Sequence, residues 1–213
     1  MLHDAGRFQK LRQALADCRR QRSFEPCRAF CDELLPVVRD FAERYHLGSE
    51  QTLLAAVAEG LPYDRGYWRS LVGELLLCGA DEVPELQTAP DTLCRLLAPE
   101  CWRNETLPRE QYPPILQAHF GARDLVLGGF YRPEAAGLNN AEQVARLSAY
   151  LAAFDPERWT TVALRVCPEL TDEEERVEEL EFARQCFLEL QEMYQAAALK
   201  GQVVVCETIH TPR

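Results

Sequence analysis

A chain of 213 residues, 47% of them hydrophobic, is long enough to bury a substantial core in one large domain or two small ones. Its formal net charge of −11 argues against nucleic-acid binding, because phosphates are bound by clustered lysine and arginine side chains. No apolar run reaches the roughly 18 residues of a membrane span, and the first residues lack the apolar segment of a signal peptide. We therefore expect a soluble, cytoplasmic protein that contacts neither nucleic acid nor membrane.

We expect the first sixty residues to be helical throughout, from the start of the chain. Phe8, Leu11, Leu15 and Cys18 are three or four positions apart, which places one apolar stripe on a helix that should end near Ser23.

A second apolar stripe follows Pro26, where proline suits the first turn of a helix. Pro36 lies inside this stripe and is expected to kink or split the helix. Gly48 should end it, Ser49 should cap the next helix, and Gly60 should end that one.

The middle of the chain is its least regular part. Proline, aspartate and glycine predict a loop over 61–66, and the apolar spacing after Tyr67 predicts a buried helix. Six prolines interrupt 79–114 and leave room for one short helix over 91–97, with Asp91 as its cap.

One segment combines strand and helix signals. The apolar run 125–127 predicts a short strand, the glycine pair 128–129 predicts a bend, and Pro133 is expected to begin a helical series. Asn139 and Glu142 have the spacing of a capping box for the helix that follows.

The C-terminal part has the clearest signals. Thr171 and Glu174 resemble a capping box, and the apolar spacing after them predicts the longest helix, which should end at Gly201. The β-branched run 203–208 predicts a strand that shares one small sheet with the strand 125–127.

These elements predict an α+β fold in which helices dominate. A small sheet would be packed by a helical N-terminal region, 1–60, and by the long C-terminal helix. We divide the chain into that region, a candidate subdomain, and an α+β domain over 61–213.

The nine cysteines are scattered without a C-x-x-C motif, which favours reduced, buried thiols over a disulfide framework. Cys27 and Cys31 lie one helical turn apart and are the best candidates for a metal pair. Zinc would need two further ligands, and the four histidines form no H-x-x-x-H pair. We therefore predict no metal and no cofactor.

Three short segments resemble features of one known family. They are Leu-Gly-Gly-Phe-Tyr-Arg-Pro at 127–133, Cys-Pro-Glu at 167–169 and Leu-Val-Gly-Glu at 71–74. The order of features along the last ninety residues, together with the earlier fragment 71–74, is similar to the YfbM-like family of small uncharacterised bacterial proteins. The resemblance implies an α+β fold and a bacterial source. Because that family has no established activity, it supplies no catalytic residues.

Several side chains are candidates for a pocket or an interaction site. Aromatic groups in the loop 61–68 and the turn 128–132 would line one groove if the two regions meet, with an arginine and a carboxylate beside them. The alternative is a half-buried core layer, with Arg132 held by Glu134 or Glu74. Together with a histidine before the turn at Gly121, the candidates are Tyr63, Trp68, Glu74, His119, Tyr131 and Arg132.

Catalytic motifs are absent from the sequence. The glycine pair 128–129 lacks the pattern of a phosphate-binding loop, and there is no G-x-S-x-G nucleophile motif. A cysteine nucleophile paired with His119 or His46 stays open, because such partners meet in space and not in sequence.

The sequence therefore supports two hypotheses. The first is a non-catalytic interaction protein, of inhibitor or immunity type, whose acidic helix over 172–192 covers a basic protein partner; surface acidity that only serves solubility is the common alternative. The second is a small-molecule binder or enzyme, with its pocket between the loop 61–68 and the turn 128–132.

Overall fold

The structure, a computed structural model, describes residues 1–44, 52–99, 108–125, 136–167 and 169–207. The chain divides into two compact units. The first contains Met1–Val83 and Leu125–Glu134, and the second contains Pro84–Asp124 and Ala135–Arg213. The first unit thus extends beyond residue 60, to which we assigned the helical N-terminal region.

The described part of the first unit is one short strand followed by helices. In chain order these are β1 (Leu2–Asp4), α1 (Ala5–Gln21), a 3₁₀ turn (Glu25–Cys27), α2 (Arg28–Arg44), α3 (Leu53–Ala58) and α4 (Arg65–Cys78). Helix α2 packs against both α3 and α4, and the apolar stripes of α1 and α4 are buried as predicted.

Strand β1 was not predicted, since helix was expected from the first residues. Its bridge to Glu82 is made by two backbone hydrogen bonds, from Leu2 N to the Glu82 carbonyl (2.8 Å) and from Asp81 N to the Leu2 carbonyl (2.9 Å). A run of three residues is too short to show a period, so the sequence pattern could not predict this strand. Asp4 then caps α1 by accepting from the Arg7 amide at 2.7 Å.

Helix α2 runs without a break through Pro36, so the predicted split does not occur. Proline has no N–H group to donate to the carbonyl of Asp32, four residues earlier. Both residues are exposed, so this oxygen is at a position that solvent can reach. Gly48 and Ser49 lie outside the described residues. Helix α3 begins only at Leu53 and is capped by Thr52, so Ser49 is not its cap.

The described part of the second unit combines helices with a small sheet. Its elements are α5 (Pro90–Leu97), α6 (Pro114–Phe120), β2 (Arg123–Asp124), β3 (Ala136–Asn139), α7 (Ala141–Ala152), α8 (Glu173–Leu199) and β4 (Gln202–Glu207), with 3₁₀ turns at Arg109–Gln111, Pro156–Arg158 and Thr161–Val166. Helix α6 was not predicted. Helix α5 begins at Pro90, which places Asp91 inside the first turn and not at the cap.

Strands β2, β3 and β4 form an antiparallel ladder with β3 in the middle. Leu138 of β3 lies opposite Val205 of β4 on one side and Arg123 of β2 on the other. The predicted strand at the end of the chain is confirmed as β4, up to Glu207. The predicted strand 125–127 is wrong at Leu125, which lies outside β2; residues 126 and 127 lie outside the described residues.

Both predicted capping boxes are displaced by one residue. Asn140 and Gln143 cap α7, because Asn139 is the last residue of β3 and is fully buried. Asp172 and Glu175 cap α8, and Thr171 hydrogen-bonds the same glutamate from outside the helix. The helical series expected from Pro133 is interrupted by β3 before α7 begins.

A buried polar network joins β3 to two helices. The Asn139 Nδ2 atom donates to the Gln117 carbonyl and the Tyr194 hydroxyl, each at 2.8 Å, and the Asn139 Oδ1 atom accepts from Ala122 N at 2.8 Å. The Tyr194 hydroxyl donates to the Ala118 carbonyl at 2.8 Å. These contacts fix α6 and α8 against the sheet.

Helix α8 packs against α7 and β4 through its buried face, which carries Leu180, Ala183, Cys186, Phe187, Leu190, Tyr194 and Ala197. Val177, predicted on that face, is 46% exposed. The helix-dominated α+β class, with a small antiparallel sheet and a long C-terminal helix, is confirmed. Among the described helices, none combines the length and apolar character that crossing a bilayer requires.

Candidate functional site

Tyr63 and Trp68 belong to an aromatic cluster in the first unit. The Tyr63 ring centroid lies 4.8 Å from that of Phe24 and 6.1 Å from that of Trp68. Trp68 is 1% exposed, so its ring is part of the core and not of an open groove. Phe24 completes the cluster and was missed, because it lies in the short connection between two predicted helices.

Glu74 has a structural role that the sequence did not show. Its two carboxylate oxygens accept from Leu53 N (3.2 Å) and Leu54 N (3.0 Å), at the start of α3. A carboxylate is stabilising there, because the first amide groups of a helix lack partners and carry partial positive charge. Tyr131 and Arg132 lie outside the described residues, so the pocket between the loop 61–68 and the turn 128–132 stays a prediction.

His119 is held inside the second unit. Its Nδ1 atom contacts the Ile115 carbonyl at 2.9 Å, one helical turn earlier in α6. Burial lowers the pKa of His119, so the ring is neutral near pH 7. A neutral imidazole bonded to its own helix is the ordinary structural use of a histidine. His46, the other candidate base, lies outside the described residues.

The eight described cysteines are free thiols, and six of them are buried. The Cys27 Sγ atom lies 3.1 Å from that of Cys18, and burial raises the pKa of Cys31 to about 12. A metal ligand must be a thiolate, which this apolar environment disfavours. Within the described ranges, no three histidine, cysteine or acidic side chains are grouped to hold a metal ion.

The outward face of α8 is an exposed, strongly acidic surface of the second unit. Helix α8 contains eight glutamates and two arginines. One row of exposed residues follows α8 at alternating spacings of four and three, and we call this row the acidic seam: Glu174, Glu178, Glu181, Gln185, Leu188, Glu192, Gln195 and Leu199. At 1.5 Å per residue the seam is about 37 Å long.

Three carboxylates of the acidic seam have no partner among the described residues. In the part of the chain that the structure describes, Glu174, Glu178 and Glu192 make no ion pair and no side-chain hydrogen bond. Glu181 pairs with Arg184 at 2.5 Å. These three unpaired carboxylates leave negative charge at the start of α8 and again near Glu192.

Exposed apolar side chains lie among these charges. Leu188 is 46% exposed and Leu199 is 84% exposed, both within the seam, and Val177 lies beside it. Apolar side chains exposed within an acidic row cost free energy in water, and a second amphipathic helix could cover them. The sequence indicated the acidic residues, whereas the apolar members required knowing which side of α8 is exposed.

No family model, curated protein or solved structure matches the chain. The resemblance to the YfbM-like family therefore stays a prediction, and the candidate sites rest on the geometry of the described residues alone.

Proposed function

We propose that the protein is a non-catalytic interaction protein that binds a basic protein partner through the acidic seam of α8. The observation that carries the proposal is the row of exposed glutamates at alternating spacings of four and three, with Glu174, Glu178 and Glu192 unpaired within the described residues. A seam of this period matches a partner helix along its length.

Charge and apolar contact have separate tasks in this mechanism. The glutamates attract a basic surface over several ångströms and orient it before contact, which raises the association rate. Leu188 and Leu199 then lose exposed apolar area in the complex, which slows dissociation.

The rigid attachment of α8 supports this role. Phe187 and Tyr194 are fully buried, and the Tyr194 hydroxyl is bonded on two sides. A helix whose inner face is fixed presents its outer face with little entropy loss on binding. In the inhibitor or immunity form of the proposal, α8 covers a basic toxin or enzyme in the bacterial cytoplasm.

A small-molecule binder or enzyme with its pocket at the loop 61–68 and the turn 128–132 is the alternative. Among the described residues it is weakened by Trp68, which is buried in the aromatic cluster, and by Glu74, whose carboxylate is occupied at the start of α3.

Affinity capture from a native lysate with matched variants tests the proposal. The seam variant carries Glu174→Lys, Glu178→Lys and Glu192→Lys. The control carries Glu59→Lys, Glu85→Lys and Glu110→Lys, three exposed positions outside α8 with the same change in net charge. We expect a basic protein that the wild type and the control retain and the seam variant loses.

Equal loss in both triple variants would mean that net charge alone retains the partner, and the proposal would fail. It would also fail if the wild type retained no specific protein at low salt, where electrostatic attraction is strongest.

A further inference from the structure

Two cysteine thiols of the first unit lie in direct contact. The Cys18 Sγ atom is 3.1 Å from the Cys27 Sγ atom, and both residues are 0% exposed. Cys18 lies on the buried stripe of α1, and Cys27 is the last residue of the 3₁₀ turn that precedes α2. Spacing along the sequence pointed to Cys27 and Cys31, whereas Cys18, nine positions before Cys27, is the thiol in contact with it.

The backbone fixes both cysteines in this arrangement. The Cys18 carbonyl accepts from Arg22 N and from Ser23 N at the end of α1. Cys27 N donates to the Phe24 carbonyl at 2.9 Å, and the Phe24 ring is held in the aromatic cluster. The two sulfur atoms therefore meet because the connection between them has a defined shape.

The distance between the sulfur atoms suits a disulfide better than a shared metal ion. Two thiolates on one tetrahedral zinc ion, each about 2.3 Å from it, lie about 3.8 Å apart. The two sulfur atoms of Cys18 and Cys27 are already closer than that. A disulfide bond of about 2.05 Å requires them to approach by only about 1 Å more.

Cys18 is the better nucleophile of the two. When its thiol ionises, the Cys27 thiol donates a hydrogen bond to it, which lowers the pKa of Cys18 although burial opposes the shift. The same contact and burial raise the pKa of Cys27. Burial raises the pKa of Cys186, in the second unit, to about 11. Since the thiolate is the reactive form, oxidation starts more readily at Cys18 than at Cys186.

We propose that Cys18 and Cys27 form a reversible disulfide when hydrogen peroxide oxidises the protein. The Cys18 thiolate attacks the peroxide, so that an S–O bond forms, the O–O bond breaks, and the leaving hydroxide takes up the proton that Cys18 released. The Cys27 sulfur then displaces the hydroxyl group from the Cys18 sulfur, and this group leaves as water with the Cys27 proton. The two thiols lose two electrons, and the peroxide is reduced to two molecules of water.

The connection between the two cysteines controls access to them and is itself changed by the bond. Residues 19–22 are exposed, so local opening of this connection admits peroxide to the buried sulfur atoms. The disulfide joins the end of α1 to the turn before α2 and closes a loop that contains Phe24. Because a closed loop reduces the freedom of the unfolded chain, the oxidised first unit is more stable. This redox site lies outside α8 and does not depend on the proposed partner binding.

Peptide mapping of the full chain, treated with hydrogen peroxide under native conditions, tests the proposal. Trypsin cleaves after the arginines between the two cysteines, so Cys18 falls in the peptide 13–19 and Cys27 in the peptide 23–28. When free thiols are alkylated and no reductant is added, we expect these two peptides to be linked to each other. Dithiothreitol should separate them.

Two alanine variants distinguish this pair from the neighbouring thiol. Cys27→Ala should leave Cys18 as a sulfenic acid that dimedone traps. Cys31→Ala, the matched control, should form the linked peptides as the wild type does. In the same samples Cys186 should be oxidised at least about tenfold more slowly than Cys18.

Thermal unfolding of the oxidised and the reduced wild type adds a measurement that needs no variant. The unfolding midpoint of the oxidised protein should be higher by about 5 °C or more. The proposal is overturned if the two peptides stay separate, if the linked product contains Cys31, if Cys186 is oxidised as fast as Cys18, or if oxidation does not raise the midpoint.

Discussion

Asn139 shows how much depends on one residue. Its amide bonds three buried partners, and a side chain that removes these bonds leaves Ala122 N without its acceptor and takes one hydrogen bond each from the Gln117 carbonyl and the Tyr194 hydroxyl. Because unsatisfied buried polar groups are costly, we expect Asn139→Ala to lower the free energy of unfolding by about 3–4 kcal/mol.

The neighbouring Asn140→Ala is the matched control for that prediction. It removes the same amide group from the half-buried cap of α7, where we expect the free energy of unfolding to fall by about 1 kcal/mol. Urea unfolding of both variants measures the difference. Equal losses would mean that the network around Asn139 contributes no more than an ordinary cap.

His3 gives the protein a pH-dependent stability. Burial lowers its pKa to about 4, although Asp81 and a hydrogen bond to the Gly79 backbone oppose the shift. Since the unfolded chain binds this proton near pH 6.5, the stabilisation is fully present above that pH and falls as the pH drops towards 4. At pH 4.5 the loss from His3 should be about 2–3 kcal/mol.

Unfolding by urea at pH 7.5 and pH 4.5 measures this loss, with His3→Gln as the comparison. Between pH 7.5 and pH 4.5 the free energy of unfolding of His3→Gln should fall by about 2–3 kcal/mol less than that of the wild type. His119, whose pKa burial also lowers, contributes equally to both proteins and cancels. An identical pH dependence in the two proteins would show that His3 does not titrate as proposed.

At the scale of single elements, the junction of α6 and β3 depends on Gly121. Its φ is 82°, and a Cβ atom there would meet the backbone of β3 at Leu138 N and, 2.5 Å away, at the Gly137 carbonyl carbon. A Cβ atom on Gly73, in the middle of α4, would have no other atom within 4 Å.

Two alanine substitutions should therefore change stability in opposite directions. We expect Gly121→Ala to destabilise the protein by about 3 kcal/mol or more, and Gly73→Ala to stabilise it by up to about 1 kcal/mol. Thermal and urea unfolding measure both changes. Equal effects of the two substitutions would contradict the close approach of β3 to Gly121.

The elements also show what the sequence could and could not predict. Helices α1, α4 and α8 have long apolar periods and were predicted, as was the β-branched strand β4. Strands β1 and β3 have three and four residues, and only their pairing partners define them. Each capping box was displaced by one residue, because the residue before the true cap has a similar side chain.

At the scale of the whole molecule, part of each candidate site could be predicted from the sequence and part could not. The acidic character of α8 is visible in the sequence, and its exposed seam extends the predicted 172–192 to Leu199. Trp68 and Glu74 were singled out for their chemistry, but the described residues around them give both a structural task. Such contacts join distant parts of the chain, and no local pattern reports them.

The central claim is that the acidic seam, and not the overall negative charge, binds the partner. The measurement that tests it most directly is the association rate with the captured partner, by stopped-flow fluorescence at several salt concentrations. We predict that the seam variant associates at least about tenfold more slowly at low salt, with a weaker salt dependence, while the control triple stays close to the wild type. Equal association rates of the seam variant and the control triple would contradict the account.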